Sequence, residues 1–559
     1  MSERHLPFWP VGVPRQAAIP DVGLFENLAR SASRAPEAEA IHYYGARITF
    51  AALHGECERL AGVLQHWLDV VPGEPVLMQL QNSPQFVIAY YGILRAGAVV
   101  VPVNPMLTAR ELGLLAGDTG ARILLCAQDN ADKAEALIDE GRLERALISA
   151  YTDYAPDQPS VRVPPIVSAP RAPERHSRMP LWSDMLSDAP APRATAPARP
   201  DDLGVIVYTS GSTGQPRGCM HTHRTVQANI AAYRLWNQLE PQTAVLGALP
   251  FFHVTGMQVA MNMPIAAGAR TVVLTRWDAG AALELTRLER ISHWRLITAM
   301  LIDLMALPNL TREAIESLRL IGGGGAAMPE AVAAKIESLT GLRYVEGYGL
   351  SETMAACHIN PPDRPKRQCL GIPFIGTVSK VVDPETLREL GPGEVGEILV
   401  SGPQVFQGYW RKPAATAGAF VEIDGKRFLR TGDLGYADAE GYFFFVDRLK
   451  RMINVAGYKV WPAEIEAILH SHPAIRRACV IGAESSRQGE MVKAFLELNA
   501  PEKDGIDAEV LRGWCAERMA RYKVPGDFVV VEALPQLASG KIDWRCLQDE
   551  ERQRSSSGG

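Results

Sequence analysis

Val205–Thr225 reads VIVYTSGSTGQPRGCMHTHRT. The run VIVY is a buried strand by its unbroken apolar and aromatic character. It gives way to TSGSTG, which builds no core. Thr209, Ser210, Ser212 and Thr213 supply hydroxyls, Gly211 and Gly214 permit positive φ, and Arg217 adds a fixed positive charge. A strand that opens into such a loop presents backbone N–H groups and hydroxyls to the oxyanions of a polyphosphate. It is not a Walker A loop, because no G-x-x-x-x-G-K-[ST] run occurs in it. A flexible surface loop has the same composition. The order of the residues, and what accompanies them, decides between the two.

Outward from this stretch the chain alternates strands and helices. Upstream, PVLMQLQN is a strand and SPQFVIAYYGILRAG a helix, with Ser83 as N-cap, Pro84 in its first turn and Gly97 near its end. AVVVPVNP, ARELGLLAGDTG and ARILLCA continue as strand, helix, strand. Downstream, TVQANIAAYRLW predicts a helix, LRLIGGGGAAMPEAVAAKIESL a strand, glycine turn and helix, and RYVEGYGLSE a strand running into a loop. This order implies an α/β fold with largely parallel sheets covered by helices. Residues 155–200, rich in proline, alanine and arginine, read as a long surface connection. After about Gly371, short strands with turns (GTVSKVVD, GEVGEILVSG, GYFFFVDR) predict an antiparallel, barrel-like part. From about Lys450 a helix, two strands, a helix and a strand suggest a small separate α+β domain. The expected division is a large domain over 1–447, a small one over 451–548, and a disordered tail over 549–559.

The 559 residues suffice for two to four domains. A composition 47% hydrophobic and 21% charged fits a globular protein with a large core. The net charge of −6 weighs against nucleic acid as a partner. The 8 cysteines form no C-x-x-C pair, as expected of reduced thiols. No apolar leader and no apolar run of the ~18 residues that a membrane span needs is read. A cytoplasmic location is therefore expected, with peripheral membrane contact and a homodimer left open.

TSGSTGQPRG followed by HTH resembles the phosphate-binding signature of the adenylate-forming superfamily, which includes acyl-CoA synthetases, peptide adenylation domains and luciferases. The family usually carries lysine where this chain has Arg217, so a planar fork replaces a point charge. The other motifs follow in order. ALPFFHVTGM (Ala248–Met257) resembles the motif whose histidine, here His253, lies beside the acyl pocket. GGGGAAM (Gly322–Met328) resembles the stretch that lines adenine and acyl group, here Gly323, Gly324, Gly325 and Ala326. EGYGLSET (Glu346–Thr353) is the most specific of the set. By resemblance Tyr348 stacks on adenine, Ser351 contacts phosphate and Glu352 holds Mg²⁺, with Glu346, Gly347 and Gly349 in the same nucleotide-binding stretch. TGDL (Thr431–Leu434) resembles the ribose motif, in which Asp433 accepts from two hydroxyls. In FVDRLKRMINVAGYKVWPAEIE, Arg448 matches a second ribose contact, Lys450 the hinge of a mobile small domain, and Gly457 with Tyr458 the CoA channel. Ala456 stands where some relatives have a lysine. LASGKIDWRCL carries Lys541, matching the lysine that meets carboxylate and α-phosphate during adenylation. Taken singly, His253 fits a core histidine, Tyr348 ordinary packing and Lys541 a solvated side chain. The ordered set spans roughly residues 25–548.

The resemblance implies an AMP-forming acyl-CoA synthetase that uses ATP, Mg²⁺ and CoA, with Lys541, Glu352, Thr209 and His253 as its catalytic groups. The implied acyl pocket comprises His253, Val254, Met257, Met261, Met300, Gly323 and Met354. Its apolar, adaptable side chains favour a medium- or long-chain fatty acid, with an aryl or terpenoid acid left open. GYKVWPAEIE is also common in bacterial fatty acyl-CoA ligases. Peptide adenylation domains hold an amino group with an aspartate; LPFFHVTGMQ has none, which leaves Asp303 as an exception. Two alternatives stand beside this reading. An acyl-AMP ligase would pass the acyl group to a carrier protein or an amine, but such relatives carry an insertion that the Glu352–Asp433 spacing does not show. A non-catalytic nucleotide-binding relative should have lost Glu352, Asp433 or Lys541.

Overall fold

The computed structural model describes residues 3–194, 196–209, 216–325, 328–455, 458–485, 489–499, 507–536 and 542–557. Two compact units are present. The first is Met1–Ser379, Val400–Leu429 and Glu440–Phe443. The second is Lys380–Leu399, Arg430–Ala439 and Phe444–Gly559.

The first unit holds two large sheets. One has the order Gly408–Tyr409, Arg217–Thr222, Leu203–Thr209, Val99–Pro102, Pro75–Gln79, Ile123–Ala127, Arg145–Ser149. Its last five strands are parallel, and its first two pair antiparallel. Every residue of Pro75–Gln79 and Ile123–Ala127 is buried, as strands covered on both faces must be. The other sheet has nine strands, with Leu320–Gly324 parallel to Tyr344–Leu350, and Ala355–Ile359 antiparallel to the latter.

The helices start where the sequence predicts. The Ser83 hydroxyl accepts the Phe86 N–H at 3.2 Å, Pro84 opens the helix, and Pro84–Arg95 is buried almost all round. Ala109–Thr119 carries a Thr108/Glu111 capping box and ends on Gly120 at φ 73°.

One element of this unit goes unread in the sequence, and one expectation is corrected. The stretch after the glycine-hydroxyl loop is a strand, Arg217–Thr222, which folds back on Leu203–Thr209 with Thr209 opposite Arg217. Leu203–Thr209 and Arg217–Thr222 are therefore the two arms of a hairpin. Residues 155–200 are more than a surface connection: they include the helices Pro165–Ser168 and Trp182–Ser187, and Met179, Trp182 and Leu186 are buried. Apolar side chains spaced among the prolines anchor that segment.

The second unit contains an antiparallel sheet in the order Tyr458–Val460, Ile453–Val455, Gly489–Leu498, Ile475–Ser485, with Asp527–Val530 added parallel to Gly489–Leu498. Ile453, Val480, Ile465, Leu469, Leu496 and Leu511 make its core with the helices Pro462–His470 and Ala508–Ala516. The tail expected to be disordered is helical over Trp544–Ser557. Leu547 is buried against Cys479, Ile481, Phe495 and Leu534, and one turn on the Glu551 carboxylate lies 2.9 Å from Lys493 Nζ. Among the described residues no helix is long and apolar enough to cross a membrane.

Candidate functional site

Ser210, Gly211, Ser212, Thr213 and Gly214 lie outside the described residues, as do Ala326, Gly457 and Lys541. The hairpin arms on either side of these residues are Leu203–Thr209 and Arg217–Thr222. Its base is tied down: the Tyr208 hydroxyl donates to Asp118 Oδ2 at 2.5 Å, and Lys412 Nζ lies 3.2 Å from Asp118 Oδ1. The Trp410 indole N–H donates to the Asp118 carbonyl at 3.1 Å. Arg217 is half-buried, with its guanidinium 5.4 Å from the centre of the Tyr409 ring.

The same hairpin holds the Glu346–Thr353 segment. Burial pushes the His221 pKa down to about 4, so the ring is neutral. Its Nε2–H donates to the Ser351 carbonyl at 2.7 Å. After Ser351 the chain makes a short 3₁₀ turn, Ser351–Thr353, and then passes through Met354 and Ala355 at φ 47° and 89°. Two consecutive non-glycine residues at positive φ are strained, at about 1–3 kcal/mol each. The strain is held by Thr353, whose hydroxyl accepts the Leu350 N–H at 2.9 Å and donates to the Ala355 carbonyl at 2.7 Å.

Glu352 is half-buried beside this turn. Its Oε1 accepts from the Tyr409 hydroxyl at 2.8 Å, and its carbonyl accepts from the Phe406 N–H at 2.9 Å. A carboxylate is the hard oxygen donor that Mg²⁺ takes, alongside phosphate oxygens and water. The donor chemistry at Glu352 thus fits a magnesium–nucleotide.

Tyr348 is half-buried, its ring 5.7 Å from His358. Glu346 is 7% exposed, and burial pushes its pKa up to about 7 although its Oε1 accepts the Gln368 N–H at 3.2 Å. The glycines nearby are set by close backbone approach. A Cβ at Gly323 would overlap the Leu296 carbonyl, one at Gly324 the Gly347 carbonyl, and one at Gly349 the Ala355 carbonyl. Only Gly325 of the Gly322–Gly325 run faces open space, at φ +89°.

His253 is exposed and caps the short helix Val254–Met257, accepting the Thr255 N–H at 3.4 Å. Val254, Met257 and Met261 on this helix and its π-helical continuation are buried, as are Met300, Leu301 and Met354. Asp303 is exposed and accepts from the Trp277 indole at 2.8 Å.

In the second unit, Arg448 Nε lies 2.6 Å from Asp433 Oδ1, so the structure brings these two together. The TGDL run lies within the strand Lys426–Ala437 and is pinned by Glu397, 1% exposed in its side chain, which pairs with Arg430 at 2.6 Å and accepts the Gly432 N–H at 3.1 Å. The Thr431 hydroxyl accepts the Asp433 N–H at 3.1 Å. Lys450 lies in the 3₁₀ turn Leu449–Arg451. Tyr458 is exposed and stacks on Tyr522 at 4.6 Å.

Sequence reasoning missed Tyr409, His221 and Asp118. His221 stands in the quoted HTH run, but nothing in its neighbours shows that its partner is a carbonyl 130 residues away.

Residues 28–410 match the family model described as AMP-binding enzyme, and residues 464–541 match that of the AMP-binding enzyme C-terminal domain. A long-chain-fatty-acid–CoA ligase of Bacillus subtilis (strain 168) is 34% identical over 551 residues, 97% of each chain. A feruloyl-CoA synthase of an Amycolatopsis species is 32% identical over 536 residues, 95% of this chain and 99% of its own. Among solved structures, ATP-bound MatB from Rhodopseudomonas palustris superposes with a TM-score of 0.82 at 28% identity, covering 95% of this chain and 99% of that one.

Proposed function

This chain belongs to the AMP-binding enzyme family, and we propose that it is an acyl-CoA synthetase acting on a hydrophobic, medium- or long-chain fatty acid. It is an AMP-forming acid–CoA ligase by family. The substrate class rests on one observation: Val254, Met257, Met261, Met300 and Met354 are all buried and apolar, while Asp303, the acid nearest in sequence to Met300, is exposed and engaged by Trp277.

A free carboxylate has no good leaving group. ATP supplies one. A carboxylate oxygen attacks the α-phosphorus, the bond to the bridging oxygen breaks, and pyrophosphate leaves. The CoA thiolate then adds to the acyl carbon, and AMP departs with the electron pair. The first transition state spreads negative charge over phosphoryl oxygens, which preorganised donors and cations stabilise. In this reading Thr209, Ser210–Gly214 and Arg217 cradle the phosphates, Ser351 adds a hydroxyl, and Lys541 meets the carboxylate and α-phosphate. Mg²⁺ held at Glu352 would neutralise charge on the phosphate oxygens. Tyr348 stacks on adenine, Gly324, Gly325, Ala326, Glu346, Gly347 and Gly349 surround it, and Asp433 with Arg448 holds the ribose. His253 and Gly323 border the acyl group. Gly457 and Tyr458 line the path of CoA, and Lys450 is the pivot between the two half-reactions.

An aryl acid is the second reading, favoured by the identity to a feruloyl-CoA synthase. Pyrophosphate release from acetate, hexanoate, palmitate, benzoate and ferulate, each with and without CoA, separates the two. Turnover that requires CoA and peaks on an aliphatic acid supports the proposal. A peak on ferulate or benzoate replaces it with the second reading. Release that stops at about one equivalent per enzyme, with or without CoA, means that the acyl adenylate awaits a carrier protein or an amine.

A further inference from the structure

Glu352 is held from outside its own motif. Gly408–Tyr409 pairs antiparallel with Cys219–Met220 at the edge of the seven-stranded sheet, and this pairing brings Tyr409 beside Glu352. The Tyr409 ring is 8% exposed, packed with Cys219, Phe406 and Leu429, and edge-on to Phe406 at 4.9 Å. Its backbone N–H donates to Thr416 Oγ1 at 2.9 Å, which fixes the residue at both ends. Its hydroxyl donates to Glu352 Oε1 at 2.8 Å. Arg217, at the end of the glycine-hydroxyl loop, lies over the same ring.

We propose that Tyr409 is a positioning residue: by occupying one carboxylate oxygen of Glu352 it orients the other toward the divalent cation of a metal–nucleotide. The inference rests on the reading of Glu352 given above. The physical reason is geometric. Mg²⁺ and Mn²⁺ bind carboxylate at short distance, and Mg²⁺ tolerates little departure from octahedral geometry. A free glutamate side chain spreads its carboxylate over many rotamers, whereas one anchored at Oε1 does not. Partners that orient metal ligands are worth about 10–100-fold in metal affinity.

The test uses Mn²⁺ as the probe, with free Mn²⁺ followed by EPR in the presence of the full chain and a non-hydrolysable ATP analogue. Tyr409→Phe keeps the ring and removes the hydroxyl. It should weaken Mn²⁺ binding about 10-fold, while metal-free binding of the analogue and the melting temperature change little. Glu352→Gln should weaken Mn²⁺ binding at least as much. If Glu352→Gln weakens binding and Tyr409→Phe does not, the positioning role is overturned while the reading of Glu352 stands. If neither variant changes Mn²⁺ binding, Glu352 is not a metal ligand, and the proposal falls together with that part of the functional reading. Tyr409→Phe in the Glu352→Gln background leaves no carboxylate unpaired and guards against misfolding of the single variant. It should bind Mn²⁺ as Glu352→Gln alone does; an additional loss there overturns the proposal.

Discussion

Glu346 lies on the wall of a cavity shared with Tyr344, Arg343 and Lys366, so water can deliver and remove its proton. Burial raises its pKa from the ordinary 4.5 to about 7, against the opposing pull of backbone N–H groups from Gln368, Met328 and Cys369. The linkage follows directly. Between pH 4.5 and 7 the folded chain holds a proton on Glu346 that the unfolded chain has released, so stability falls as pH rises through that window. The contribution is fully present below pH 4.5 and gone above about pH 7. A shift of this size corresponds to about 3 kcal/mol. Glu346→Gln replaces the neutral acid by a neutral amide of nearly the same shape and cannot ionise. Denaturant unfolding at pH 5 and pH 8 should show wild type losing about 3 kcal/mol more than the variant between the two, and the variant should be the more stable protein at pH 8. Parallel pH profiles for the two proteins would refute the argument, since they would mean that Glu346 titrates alike in the folded and unfolded chains.

Two glycine substitutions should move stability in opposite directions. Gly349→Ala drives a Cβ into the Ala355 carbonyl, backbone that is already strained, and should cost ~3 kcal/mol or more or prevent folding. Gly117→Ala, exposed in the helix Ala109–Thr119 with nothing within 4 Å of its Cβ, should gain about 0.5–1 kcal/mol. Denaturant midpoints read both, and like-signed shifts would contradict the steric reasoning. On the functional side, Lys541→Ala should abolish pyrophosphate release yet spare thioester formation from preformed acyl-AMP. Lys450→Pro should do the reverse, and a variant that loses both half-reactions equally counts against the pivot.

The parallel core was legible because strands such as Pro75–Gln79 and Ile123–Ala127, buried on both faces, must be apolar throughout. The helix beginning after Ser83 was legible because a hydroxyl followed by proline has one favourable place in a helix. The Arg217–Thr222 strand was not. RGCMHT lacks a long apolar run, because as a near-edge strand it spends polar side chains on tertiary partners: His221 on Ser351, Arg217 on Tyr409. The terminal helix escaped notice for a related reason, since its polar run QDEERQR is anchored through Leu547 and Lys493–Glu551.

The glycines show a deeper limit. A glycine that lets a ligand approach and a glycine that lets a neighbouring backbone approach lack the same atom, and no pattern along the chain separates them. Gly323, Gly324 and Gly349 meet backbone carbonyls of neighbouring segments, and only the fold reveals it. Glu352 and Tyr409 divide in the same way. Glu352 is read from the residues on either side of it. Tyr409 stands 57 positions away and is brought to it by a two-residue edge strand that no periodicity announces. Short motifs therefore name the groups that would face the nucleotide, while the groups that hold them in place come from elements far away in the chain, here an edge strand of the other sheet. Substitutions at such supporting positions should disturb the chemistry while every recognisable motif stays intact.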